Sequence, residues 1–211
     1  EILLALQHDI FCFNVESVPE LHIINELAGK TGKTARVCLR INPDVEAHTH
    51  THIITGMAEN KFGIALSDMM HVVEMAKELK HISFVGLHFH IGSQITNMHD
   101  YVALCQRINE IQHQLNKHDI YPTVINVGGG LGIDYQDPDR NPIANFKAYF
   151  KVFTQHLHFR PEQSLHFELG RSIVAQCGSL ITKVLYVKQA SVKQFAIVDA
   201  GMTDLMRPAL Y

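Results

Sequence analysis

Short apolar runs alternate with longer amphipathic ones through the first 170 residues, and this alternation constrains the fold more than any other feature. Ile10 to Val15, Ala35 to Ile41, Ile82 to His88 and Thr123 to Val127 have the length and β-branched content of buried strands, and Leu165 to Glu168 reads as a fifth. Between them, residues 17–28, 67–79, 100–117 and 142–158 repeat apolar positions at helical spacing. Strand, helix, strand, helix implies parallel strands joined by right-handed crossovers, in an α/β barrel or a doubly wound sheet. Both architectures bind ligands at the carboxyl ends of their strands. Beyond Arg171 the pattern changes: Ser179 to Gln189 and Phe195 to Asp199 read as strands with no helix between them. The expected division is therefore an α/β domain over residues 1–174 and the beginning of a β-rich domain over residues 175–211, each incomplete. Glu1 to Gln7 reads as the tail of a helix and Tyr211 stops soon after a strand, so a fragment of a longer protein is expected.

Local signals place several helix ends. Ser17 with Pro19 and Glu20 has the form of a capping box, and Gly29 is expected to close that helix. Ser67 and Asp68 are expected to cap a helix with Met69, Val72, Val73, Ala76 and Leu79 inward; Val102, Leu104, Ile108, Ile111 and Leu115 form the buried face of another. Phe146, Tyr149, Phe150 and Phe153 read as core packing. The formal net charge of -3 and the lack of a basic run argue against a nucleic-acid partner. No stretch approaches the ~20 apolar residues that span a bilayer, and the amino terminus does not resemble a signal peptide. Cys12, Cys38, Cys105 and Cys177 form no C-x-x-C pair, so buried, reduced thiols in a cytoplasmic protein are expected. His48, His50 and His52 are expected in a solvated loop, and Asp134, Asp137 and Asp139 in an acidic loop; neither group is expected to hold a metal.

Four strand ends carry the residues with chemical potential. One reads His88-Phe89-His90-Ile91-Gly92-Ser93-Gln94, the next Gly128-Gly129-Gly130-Leu131-Gly132. The third reads Glu168-Leu169-Gly170-Arg171-Ser172 and the last begins at Asp199 and runs through Arg207 to Tyr211. Three glycines after a strand let backbone approach a ligand closely, and their N–H groups can form a cup for an anion such as a phosphate, with Ser93 as a further donor. His90 can lay a flat imidazole against a ring. Glu168 can hold a protonated ring nitrogen, the partner that makes a pyridinium an electron sink. Arg171, Arg207 and Tyr211 suit substrate carboxylates.

The set HFHIGSQ, GGGLGIDY, ELGRS and DAGMTDLMRPALY, with Asn14-Val15-Glu16-Ser17 and Glu59-Asn60-Lys61-Phe62-Gly63, closely resembles the diaminopimelate decarboxylase family, among the fold-type III pyridoxal-phosphate enzymes of the alanine racemase-like group. The resemblance extends over essentially the whole chain and implies a partial TIM-type (β/α)8 barrel. It implies pyridoxal 5'-phosphate with its phosphate held by Ser93, Gly128, Gly129, Gly130 and the backbone of Gly170 and Arg171. It implies His90 stacked on the ring, Glu168 at the ring nitrogen, and Arg171, Arg207 and Tyr211 on the carboxylates of meso-diaminopimelate. The implied reaction is decarboxylation to L-lysine in a homodimer with a shared active site. A related decarboxylase of arginine, ornithine or carboxynorspermidine is the alternative, and Arg207 and Tyr211 argue against it. The resemblance places the Schiff-base lysine upstream of Glu1 and a partner-subunit cysteine downstream, so this stretch alone is expected to be inactive. Leu169 stands where the family has proline, and an extended leucine is expected to change the site little.

Overall fold

The computed structural model describes residues 1–45 and 61–206. Five apolar runs pair into one parallel sheet: β1 (Phe13–Val15), β2 (Ala35–Arg40), β3 (Ile82–His88), β4 (Val124–Asn126) and β5 (Ser164–His166), in the order β1-β2-β3-β4-β5. Spatial order follows chain order with no reversal. That separates the two architectures left open by the alternation, because a doubly wound sheet must reverse direction at a switch point. A sheet wound one way puts every right-handed crossover on the same face. The result is part of an α/β barrel, with helices outside and the other face turned inward.

The crossovers are α2 (Val18–Lys30), α3 (Met69–Glu78), α4 (Met98–Asn116) and α5 (Phe146–His156), preceded by α1 (Ile2–Gln7). Ser17 Oγ accepts from the Glu20 N–H at 3.4 Å while Glu20 Oε2 accepts from the Glu16 N–H at 2.7 Å, so the capping residues close the start of α2. This helix does not end at Gly29; it continues to Lys30 with Thr31 as its C-cap. Gly29 is demanded by packing instead, since a β-carbon there would lie 2.8 Å from the His81 ring, and the left-handed residue is Gly32, at φ +67°. α4 starts two residues earlier than its apolar periodicity suggests, because Asn97 caps it by accepting from the His99 N–H at 3.1 Å.

Alternation along the strands sorts the two faces. Val15, Val37, Leu39, Leu87 and Ile125 point outward and are buried beneath the helices. The helix layer is completed by Tyr101, Tyr149 and Phe153, with Tyr101 and Tyr149 edge to face at 4.8 Å. Phe150, expected in the core, lies at its rim: it is 40% exposed and packs edge-on against Phe167 at 5.0 Å. Inward positions carry Cys12, Asn14, Arg40, His88, Asn126 and His166. Cys12 is half-buried, with its Sγ 3.7 Å from Cys38 Sγ, and Cys105 is buried. Cys177 departs from the expected burial and is exposed just beyond α6 (Gly170–Val174), a short helix with no side-chain cap to betray it in the sequence.

The chain divides into two compact units, residues 1–175 and 176–211. In the second, β6 (Val184–Gln189) and β7 (Gln194–Val198) form an antiparallel hairpin. β6 starts five residues later than its apolar pattern suggests; Thr182 Oγ1 and the Lys183 N–H instead donate to Asp199 Oδ1 at 2.7 and 2.9 Å. Among the described residues no helix is long and apolar enough to cross a membrane, and no cluster of metal-ligating side chains forms. His48, His50 and His52 lie outside the described residues.

Candidate active site

The glycine run does more than open space for a ligand. Gly128 and Gly130 have φ of +70° and +94°, which only glycine adopts without strain. A β-carbon on Gly128 would stand 2.2 Å from the Phe89 carbonyl oxygen, on Gly129 2.1 Å from that of Glu168, and on Gly130 2.3 Å from that of Gly92. The three residues are glycine because the loops after β3, β4 and β5 meet there backbone to backbone. Their N–H groups are partly committed to this junction. Gly128 donates to Asn126 Oδ1 at 2.9 Å and Gly129 to His90 Nδ1 at 3.3 Å. The Gly130 N–H has no acceptor among the described residues, so it is the member of the run left to meet an anion. Tyr101, reaching in from α4, places its hydroxyl 3.5 Å from the Gly129 carbonyl.

Glu168 follows β5 and is fixed at both levels. Its N–H donates to the Gly128 carbonyl at 2.7 Å, and its own carbonyl accepts from Gly170 at 3.0 Å. Its Oε1 accepts from Asn14 Nδ2 at 3.0 Å and from Asn126 Nδ2 at 2.8 Å, with His88 Nε2 a further 3.6 Å away. Three strands, β1, β3 and β4, thus send a side chain to one carboxylate oxygen. The side chain remains 45% exposed toward the barrel interior.

His90, in the loop after β3, accepts the Gly129 N–H at Nδ1, so in the neutral ring the proton sits on Nε2. Burial, reinforced by the Arg40 guanidinium, pulls its pKa below the ordinary histidine value, and a neutral planar imidazole results. Burial pulls His88 further, to about 4, against the opposing charge of Glu168. Arg40 is itself paired with Glu16, which also accepts from the Gly63 N–H at 3.3 Å. The guanidinium stands over the Phe62 ring at 5.0 Å, which docks residues 61–63 at the mouth.

Of the residues singled out by sequence, His90, Gly128, Gly129, Gly130 and Glu168 form one bonded cluster. Ser93 is half-buried in the loop of His90. Gly170 and Arg171 open α6, where a β-carbon on Gly170 would meet nothing within 4 Å, and Arg171 donates to the Tyr135 hydroxyl at 3.0 Å. Arg207 and Tyr211 lie outside the described residues. Sequence reasoning assigned no role to Asn14 or His88, although both stand in the motifs it singled out, and it passed over Asn126, whose only signal is a polar residue at an inward position of an otherwise apolar strand.

Asn14 Oδ1, both ring nitrogens of His88, the Tyr149 hydroxyl and Ser172 Oγ are buried with no hydrogen-bond partner among the described residues. Buried polar atoms are normally satisfied, and two of these orphans, on Asn14 and His88, lie on the inner face beside Glu168, where a polar ligand could meet them. A neutral flat imidazole, an anchored carboxylate and an open N–H at the glycine turn fit a phosphorylated heteroaromatic ring with a basic nitrogen.

Comparison with known proteins agrees with that chemistry. The chain is 61% identical, over its full length, to a diaminopimelate decarboxylase of Bacteroides thetaiotaomicron, of which it covers 55%. It is 42% identical to that of Haemophilus influenzae, covering all of this chain and 50% of the relative. The chain spans about half the length of the curated relatives it matches. The crystal structure of Helicobacter pylori diaminopimelate decarboxylase complexed with L-lysine superposes with a TM-score of 0.89 at 38% identity, over 100% of this chain and 52% of that one. Lysine decarboxylase from Selenomonas ruminantium, at 18% identity and a TM-score of 0.77 over 100% of this chain and 52% of that one, shares the fold. Residues 1–175 match the family described as pyridoxal-dependent decarboxylase, pyridoxal binding domain, and the chain belongs to that family.

Proposed function

We propose that the protein carrying this chain decarboxylates meso-2,6-diaminopimelate to L-lysine and carbon dioxide, with pyridoxal 5'-phosphate as cofactor. The observation that carries the reading is Glu168, held by two amides at a strand end beside a neutral His90. The 61% identity to a diaminopimelate decarboxylase supports the choice of substrate over arginine, ornithine or carboxynorspermidine.

When bound, the cofactor supplies an electron-poor ring that takes up the electron pair left as carbon dioxide departs. The chain's own residues prepare the place for it. Glu168, fixed by two neutral amide donors, is placed to hold a proton on the ring nitrogen. His90 offers its ring face for stacking, oriented by the Gly129 N–H. Ser93, the glycine turn with its open Gly130 N–H, and the backbone of Gly170 and Arg171 hold the phosphate. Arg171, with Arg207 and Tyr211, grips substrate carboxylates; a guanidinium matches a carboxylate bidentately. The Schiff-base lysine comes from upstream of Glu1, and a homodimer in the cytoplasm completes the site.

The test is turnover by the full-length protein with pyridoxal phosphate added, offering meso-diaminopimelate, arginine, ornithine and carboxynorspermidine separately. Lysine and carbon dioxide from diaminopimelate alone are expected. Turnover of another of these substrates without diaminopimelate would overturn the assignment.

A further inference from the structure

We propose that Asn14, Asn126 and His88 are positioning residues that clamp Glu168 through one carboxylate oxygen and so reserve the other for the cofactor's ring nitrogen. The proposal rests on the functional reading above and goes beyond it in assigning three residues from three separate strands. Oε1 receives Asn14 Nδ2 at 3.0 Å and Asn126 Nδ2 at 2.8 Å, whereas Oε2 takes no donor among the described residues. The amide of Asn126 is oriented unambiguously, since its Oδ1 accepts the Gly128 N–H at 2.9 Å and its Nδ2 must then face Glu168. Asn126 thereby ties the glycine turn and the carboxylate into one rigid unit.

His88 is the third arm. It is 5% exposed, and neither ring nitrogen has a partner, an arrangement normally costly enough to be selected away. Its Nε2 lies 3.6 Å from Glu168 Oε1, only a few tenths of an ångström outside hydrogen-bond range, so a small closure completes the contact. Desolvation keeps the ring neutral. That neutrality is what the clamp requires. A cation at this place would pair with Glu168 and cancel the charge that holds a proton on the ring; three neutral donors fix the carboxylate and leave its charge to the ligand.

The test separates a role exerted through the ring nitrogen from general support of the fold. Binding of pyridoxal phosphate and of its 1-deaza analogue, in which CH replaces the ring nitrogen, is measured by fluorescence on the full-length protein without substrate. The wild type is expected to prefer pyridoxal phosphate, and Glu168→Gln to lose that preference. Asn14→Ala and His88→Leu are expected to weaken pyridoxal phosphate about ten- to hundredfold, the loss of one hydrogen bond to a charged group, and to leave the analogue within about twofold. His88→Gln, which restores a neutral donor, is expected to recover most of the loss. Among the described residues the Asn14 side chain bonds only to Glu168, and its backbone pairing with β2 does not depend on the amide, so its variant is expected to retain the fold even if an Asn126 variant disturbs the glycine turn. Equal weakening of both ligands, or no weakening of either, in the Asn14 and His88 variants of a protein whose wild type discriminates would overturn the clamp alone. A wild type that binds no pyridoxal phosphate would overturn the functional reading together with it.

Discussion

The outer face of the sheet buries Val15, Val37, Leu39, Leu87 and Ile125 under the helices, while the inner face of the same strands carries Asn14, Arg40, His88, Asn126 and His166. Neighbouring residues on one strand therefore answer to different forces. Outer residues are held by non-directional burial, and any side chain of similar volume serves. Inner residues are held by directed contacts: Arg40 to Glu16, Asn126 to both Gly128 and Glu168, Asn14 to Glu168. The outer face sets whether the chain folds, and the inner face sets what the fold can bind. The unsatisfied nitrogens of His88 belong to the inner face, with Nε2 3.6 Å from Glu168 Oε1.

The glycine turn is where the loops after β3, β4 and β5 meet, and breaking it is expected to have the largest effect. Gly129→Ala puts a methyl group 2.1 Å from the Glu168 carbonyl oxygen, a rigid backbone atom that cannot step aside. The cost is about 4 kcal/mol or more, and little folded protein should be recovered on expression. Leu87→Ala, a pure outer-face change, is expected to cost about 2–5 kcal/mol by urea unfolding of the full-length protein. Its cofactor affinity should stay within about twofold of wild type. An affinity loss as large as that of an inner-face variant would erase the distinction between the faces.

Acid sharpens the comparison on the inner side. The pKa of His88 is lowered from 6.5 to about 4, by burial first and then by Arg40 and His90, with Glu168 and Glu16 opposing. A histidine whose folded pKa is depressed contributes stability that is complete above the unfolded value. That stability drains as pH falls from about 6.5 toward 4, because the unfolded chain takes up the proton first. Between pH 7 and pH 5 the loss is about 2 kcal/mol. His88→Gln should flatten that part of the urea-midpoint profile, and an unchanged slope would show that another group titrates there.

The same two faces explain what could be read in the sequence. Outer residues leave a periodic imprint, so the strand and helix order and the cap at Ser17 were legible. The glycine run was visible, but its reason was not. The backbone atoms that forbid β-carbons there belong to Phe89, Gly92 and Glu168, far away in the chain. Gly29 was misread as a helix terminator for a similar cause, the ring of His81 packed against it. Asn14 and Asn126 were invisible as a pair because nothing local shows that two amides 112 positions apart share one oxygen acceptor of Glu168. Periodicity reports burial, and only the folded register reports direction.

Glu168→Gln is the smallest expected change in stability and the strictest test of that division. Glutamine keeps an Oε1 that can accept from Asn14 and Asn126, so the inner network survives with its geometry. What disappears is the negative charge. Neutral hydrogen bonds replace charge-assisted ones at a half-exposed side chain, worth about 0.5–1 kcal/mol, and the melting temperature of a protein of this size should move by only a few degrees. The ring nitrogen of the cofactor, by contrast, loses the partner that favours its protonated form, which is expected to lower kcat by about a hundredfold or more. Calorimetry and steady-state kinetics on the same preparation check both halves. A variant destabilised as much as Leu87→Ala would place Glu168 among the residues that build the fold; a fully active one would remove it from the chemistry.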